Sequence, residues 1–125
     1  VISERECRAI VTERSSGLCE ARFDGVCRGV GESKHHRRKE GQGGKWVPSN
    51  IVDVCGDGTQ GCHGYIEANP VAAKRRGLWI YPTQHPLLTP ALIVWRGTTE
   101  WCLLDDEGSV QHLSRRAFDR LKAAM

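Results

Sequence analysis

Four cysteines in two pairs constrain this chain more than any other feature. Seven residues separate Cys19 from Cys27 and six separate Cys55 from Cys62; between the pairs runs SKHHRRKEGQGGKWVPSN, positions 33–50. A chain of 125 residues with 39% hydrophobic content and 14 glycines builds a modest core and many loops. Whatever joins the two pairs therefore decides much of the fold. The reading is four metal ligands, with Cys7 and Cys102 as free thiols. Two disulfides are the alternative, and with them a secreted, disulfide-stapled domain. The apolar runs LIVW (92–95) and CLL (102–104) fall well short of the ~20 residues of a membrane span. No leader-like segment is read ahead of Ser3.

Local signals divide the rest. SERECRAIVTERSS (3–16) predicts an amphipathic helix, with Ser3 and Glu6 in a capping-box pattern and Cys7, Ile10, Val11 and the stem of Arg14 along one face. Gly17 is its expected stop. Residues 18–32 read as a loop-rich knuckle around Cys19 and Cys27. A short strand is expected at 33–38, a Gly-rich loop to Ser49, and a second strand in NIVDV (50–54). Cys62 to Lys74 reads as a helix that Pro70 either bends or divides. Beyond Gly77, a candidate boundary, LWIY, ALIVW, EWCLL and SVQHL predict a small antiparallel meander, and RRAFDRLKAAM a closing helix. The fold class is thus α+β, in two parts, 1–77 and a β-rich extension at 78–125 packed on the first.

Net charge is only +3, but the cations cluster at 34–39, at 74–76 and near the C-terminus. Local basic patches under a mild total fit contact with a phosphate backbone along one face. The last cluster is read as ordinary solvated surface. Trp46, Trp79, Trp95 and Trp101 are read as core or rim packing, with Trp46 singled out because it lies between the two strands that carry the histidine and the asparagine.

Asn50 follows His36 by fourteen residues, and His63 follows Asn50 by thirteen. Two strands and a helix of this size can bring His35, His36, Asn50 and His63 to one point. Neighbouring strand residues face opposite ways, so His35 and His36 cannot both be ordinary ligands of one ion. Dividing them between a metal and a water molecule suits phosphodiester hydrolysis, which needs a base titrating near neutrality and a cation against the developing charge.

HHR…GG…PSNIVDVC…CHGYI resembles the His-Asn-His (HNH) endonucleases, in particular those encoded by bacteriophages, over about residues 14 to 77. The resemblance implies a ββα-metal finger at about 33–76 and a metal-dependent DNA endonuclease, nicking or cutting both strands. It also implies roles. His35 and His63 would bind one catalytic divalent cation (Mg²⁺, Mn²⁺, Ni²⁺ or Zn²⁺), and His36 would be the general base. Asn50 would hold the loop and orient the His36 ring through a hydrogen bond. Cys19, Cys27, Cys55 and Cys62 would clamp the unit with a structural Zn²⁺. Lys34, Arg37, Arg38 and Lys39 would hold the DNA backbone.

Many relatives carry a second histidine one helical turn after the ligand histidine, where this chain has Glu67. That carboxylate either joins the metal site and favours harder cations, or only pairs with a basic neighbour. The implied setting is the cytoplasm of a bacterial host, with phage packaging or replication proteins as further candidate partners and no membrane. The rival from another class is a non-catalytic, zinc-stabilised nucleic-acid-binding module, which needs the cysteines and the cations but neither His36 nor Asn50.

Overall fold

Helix α1 (Glu4–Ser15) begins where a reciprocal cap satisfies its first amides. Glu6 N–H donates to Ser3 Oγ, and Ser3 N–H donates to the Glu6 carboxylate. Ser16, with φ of 58°, supplies the left-handed cap one residue earlier than Gly17. The computed structural model describes residues 1–123, and among them the chain is α+β with two small antiparallel sheets. No helix among the described residues is long and apolar enough to cross a membrane.

Strands β1 (Ser33–His36) and β2 (Ile51–Val54) form the first sheet. Its register pairs Ser33 with Val54, Lys34 with Asp53, His35 with Val52 and His36 with Ile51. Each face of this hairpin is covered by a different helix. Ile51 packs with Cys7 and Val11 of α1, with Trp46 at the edge. Val52 and Val54 pack in the larger core with Ile66 of α2 (Gly61–Ala68). Alternation along β1 therefore sends His35 towards α2 and His36 towards α1.

The helix expected over 62–74 is two helices. Pro70 lacks the N–H that would continue α2 and stands instead at the start of α3 (Pro70–Arg75). Beyond Gly77 come β3 (Ala91–Trp95), β4 (Thr98–Leu104) and β5 (Val110–His112), paired in that order as an antiparallel meander. LWIY, expected to be a strand of this group, joins no sheet. Leu78 and Ile80 are buried, and Ile80 N–H donates to Arg37 O at 2.9 Å, a backbone bond that ties the segment to the end of β1. Helix α4 (Arg115–Ala123) closes the chain, with Phe118 against Trp101 at 4.4 Å between ring centroids. The last two positions of the helix expected there lie outside the described residues.

One apolar core serves both parts: Cys19, Phe23 and Cys62 share it with Ala91, Ile93, Cys102 and Leu104 of the meander. Beside it Arg14 is buried to its guanidinium, beyond the stem that helical periodicity placed on the buried face. The group makes two bonds of 2.9 and 2.8 Å to the buried Glu20 carboxylate and donates to the carbonyls of Pro48 and Ile51. Helix α1, the knuckle and the start of β2 are thereby joined by one charge pair whose polar atoms all find partners.

Candidate metal centres and their surroundings

The four cysteines of the two pairs meet. The sulfurs of Cys19, Cys27, Cys55 and Cys62 all lie within 4.8 Å of one another, close enough to hold one metal ion. All six cysteines are free, so the disulfide alternative does not describe this fold. Backbone amides point at the sulfurs: Arg28 and Cys62 donate to Cys55 Sγ at 3.2 and 3.1 Å, and Phe23 donates to Cys62 Sγ at 3.2 Å. Donors so placed stabilise thiolate charge. Contact with Cys62, ahead of other causes, holds the Cys19 thiol down at about 5. Burial pushes the two isolated thiols the other way, Cys7 to about 11 and Cys102 to about 12.

The turn between Cys55 and Cys62 depends on glycine. Gly56 has φ of 76°, and a Cβ there would stand 2.0 Å from Gln60 O. With the turn closed, His63 N–H donates to Cys55 O at 3.1 Å, and the His63 ring projects from the first turn of α2 towards β1.

A second cluster forms on that side. His35 Nδ1 lies 3.5 Å and His63 Nε2 lies 3.8 Å from Glu67 Oε1, and one atom from each of the three residues falls within 4.8 Å of the others. The neighbouring contacts decide what each ring presents. His35 Nε2 is 2.6 Å from Leu78 O, an atom that can only accept, so the neutral ring carries its proton there and turns a bare Nδ1 to the cluster. Ser33 Oγ donates to Gly56 O at 2.9 Å, which leaves it to accept from His63 Nδ1 at 2.7 Å. His63 therefore presents a bare Nε2. The Lys39 ammonium pairs with the Glu67 carboxyl and favours its ionised form. Two imidazole lone pairs and a carboxylate thus converge, an arrangement that needs positive charge among them. Lys39 Nζ, paired with Glu67, brings one such charge. Glu67 thus lies within the cluster and also pairs with a basic neighbour.

The partners that set the two tautomers, Ser33 and the Leu78 carbonyl, were not singled out from sequence. Ser33 carried a signal, since it lies two positions before His35 and so shares its strand face. The Leu78 carbonyl carried none.

His36 is not part of the cluster. Its ring meets the Trp46 edge at 4.5 Å between centroids, and its Nε2 is buried with no hydrogen-bond partner. Burial, more than any neighbouring charge, pulls the ring below the usual histidine range, with Glu40 at 3.8 Å opposing. Trp46 is held from its other side by Arg8 of α1, at 4.5 Å. Asn50 is fully buried and does hold the loop, accepting from Arg38 N–H at 2.8 Å and donating to the carbonyls of Arg38 and Lys45. The expected bond to the His36 ring is absent, because both amide hydrogens are taken by those carbonyls.

The cations expected to grip a polynucleotide are spent inside the fold. Arg37 is fully buried and donates to the carbonyls of Ser49, Gly77, Pro86, Thr89 and Pro90. Lys34 pairs across the strands with the buried Asp53 at 3.1 Å, and Lys39 pairs with Glu67. Arg38 folds back to Gly43 O at 3.1 Å. A run of charge looks like a surface in sequence; here the hairpin places it among carbonyls and carboxylates that demand it.

Comparison with known protein families, with curated proteins and with solved structures yields no match to this chain.

Proposed function

We propose that this chain is a metal-dependent DNA endonuclease of the HNH type, built on a ββα-metal finger of β1, β2 and α2. The observation that carries the reading is the convergence of His35 Nδ1, His63 Nε2 and the Glu67 carboxylate, each ring held in the tautomer a cation requires. A divalent cation held there would supply Lewis-acid stabilisation of charge building on a phosphate. His35 and His63 keep their orientation through Leu78 O and Ser33, so they meet the cation without reorganising. Lys39, released from Glu67, is placed to meet a phosphate oxygen. Asn50 keeps the loop closed over the strand ends. His36 takes the proton of the attacking water, and since Nε2 is buried without a partner the task falls to Nδ1. Zinc held by Cys19, Cys27, Cys55 and Cys62 would keep the start of α2, and with it His63, in place.

The test is plasmid nicking with Mg²⁺, Mn²⁺, Ni²⁺ and Zn²⁺ in turn. Cleavage is expected to require an added cation and to fall by roughly 10²-fold or more in His63→Ala and in His36→Ala. Plasmid that stays supercoiled with every cation would reject the endonuclease and favour the non-catalytic binding module. Wild-type rates in His36→Ala would remove the base from that residue.

Glu67 gives an independent check by direct binding of Mn²⁺, followed by electron paramagnetic resonance. Glu67→Gln keeps the shape and loses the charge, and losing a ligand should weaken Mn²⁺ by at least the roughly tenfold seen for lost outer partners. Glu67→His should shift preference towards Ni²⁺ or Zn²⁺. Superimposable binding curves for all three proteins would leave Glu67 as a partner of Lys39 alone.

A further inference from the structure

A groove of about 430 Å³ lies between α3, the 78–81 segment, β4 and α4. Lys74, Arg75 and Lys122 line it together with Trp79, Tyr81 and Trp101, and no carboxylate is among its lining residues. Cations stand beside two of its rings: Lys74 Nζ is 4.8 Å from the Tyr81 ring centre, and Lys39 Nζ is 4.3 Å from that of Trp79. Lys39 also pairs with Glu67, so Trp79 joins the groove to the His35–His63–Glu67 cluster. Tyr81 is 53% exposed, a large ring left open to solvent in a basic setting.

We propose that this groove binds a single-stranded segment of nucleic acid continuous with the phosphate at that cluster. The proposal rests on the endonuclease reading for what happens at the cluster, and on the groove itself for what the strand touches. Cations alone would suit any polyanion. Rings interleaved with cations suit unpaired bases, which offer a face to stack on while the backbone meets the ammonium and guanidinium groups. A duplex keeps those faces stacked inside. The volume is that of a pocket for a small ligand, matching about one or two nucleotides. The second basic cluster of the sequence, 74–76, thereby takes the strand-holding role that the buried Arg37 and the Asp53-paired Lys34 cannot play.

Fluorescence anisotropy of a labelled oligo(dT) strand tests this, with full-length protein freed of loosely held metal so that cleavage cannot interfere. Lys74, Arg75 and Tyr81 are exposed, so their variants should keep the wild-type melting temperature. Lys74→Glu and Arg75→Glu should each weaken strand binding by roughly tenfold and lower the salt slope by about one. Tyr81→Ala should weaken it by roughly fivefold or more. A duplex of equal length should bind less tightly than the strand. Unchanged strand binding in all three variants, or tighter binding of the duplex, would overturn the proposal. Because no cleavage is measured, a chain that never nicks plasmid can still pass, and a chain that nicks while its groove variants bind normally loses only the groove.

Discussion

Replacing Cys55 with serine is expected to remove the cooperative unfolding transition of this protein, or to lower it by tens of degrees. Cys55 is fully buried, accepts two backbone N–H groups and directly follows β2, where the turn into α2 begins. Structural zinc sites in small peptides contribute roughly 10–16 kcal/mol of apparent binding energy, which is also folding energy. A domain of this size is stable by only about 5–15 kcal/mol, so even part of that contribution decides whether it folds. Freshly purified wild-type protein should hold one tightly bound Zn²⁺ per chain, measured after weakly held ions are removed. The same substitution should disorganise the second cluster, since Cys55 O anchors the His63 amide. Wild-type melting and metal content in Cys55→Ser, or disulfides among these four cysteines, would refute the structural zinc.

Arg37→Lys should cost about 3–5 kcal/mol in urea unfolding, although it keeps the positive charge. The guanidinium reaches five carbonyls on three sides, from residues 49, 77, 86, 89 and 90. An ammonium has three donors and no fixed fork, so at least two buried acceptors lose their partner at about 1–3 kcal/mol each. The geometry of the second cluster should suffer as well, because Arg37 holds Gly77 O next to the Leu78 carbonyl that orients His35. An arginine that served as a surface phosphate contact would behave in the opposite way, with stability within about 0.5 kcal/mol of wild type. Urea midpoints for the two proteins separate the cases.

Several features were legible because their causes are local. Ser3 and Glu6 announce the start of α1, since a capping box closes within one turn. Pro70 announces a break in the helix through its missing N–H. The two-residue period of a strand separates His35 from His36 before any contact is known. The cysteine spacing allowed four ligands or two disulfides, and only the folded chain shows four free sulfurs in mutual reach, as one metal ion would need.

What the tertiary structure alone decided is where each polar group finds its partner. HHRRK reads as exposed charge, yet Arg37 is called inward by carbonyls from segments up to about fifty residues away, and Lys34 by an aspartate across the sheet. Trp46 lies between the strands in sequence, but α1 covers that face, so the ring packs between Arg8 and His36. The LWIY run has the composition of a strand and no neighbour to pair with, and its Leu78 carbonyl instead accepts from His35. Caps, breaks and alternation act through bonds between near neighbours, so they are written in the order of the residues. The tautomer of His35, the burial of Arg37 and the charge around Glu67 arise from groups that are distant in the chain and meet only once it has folded.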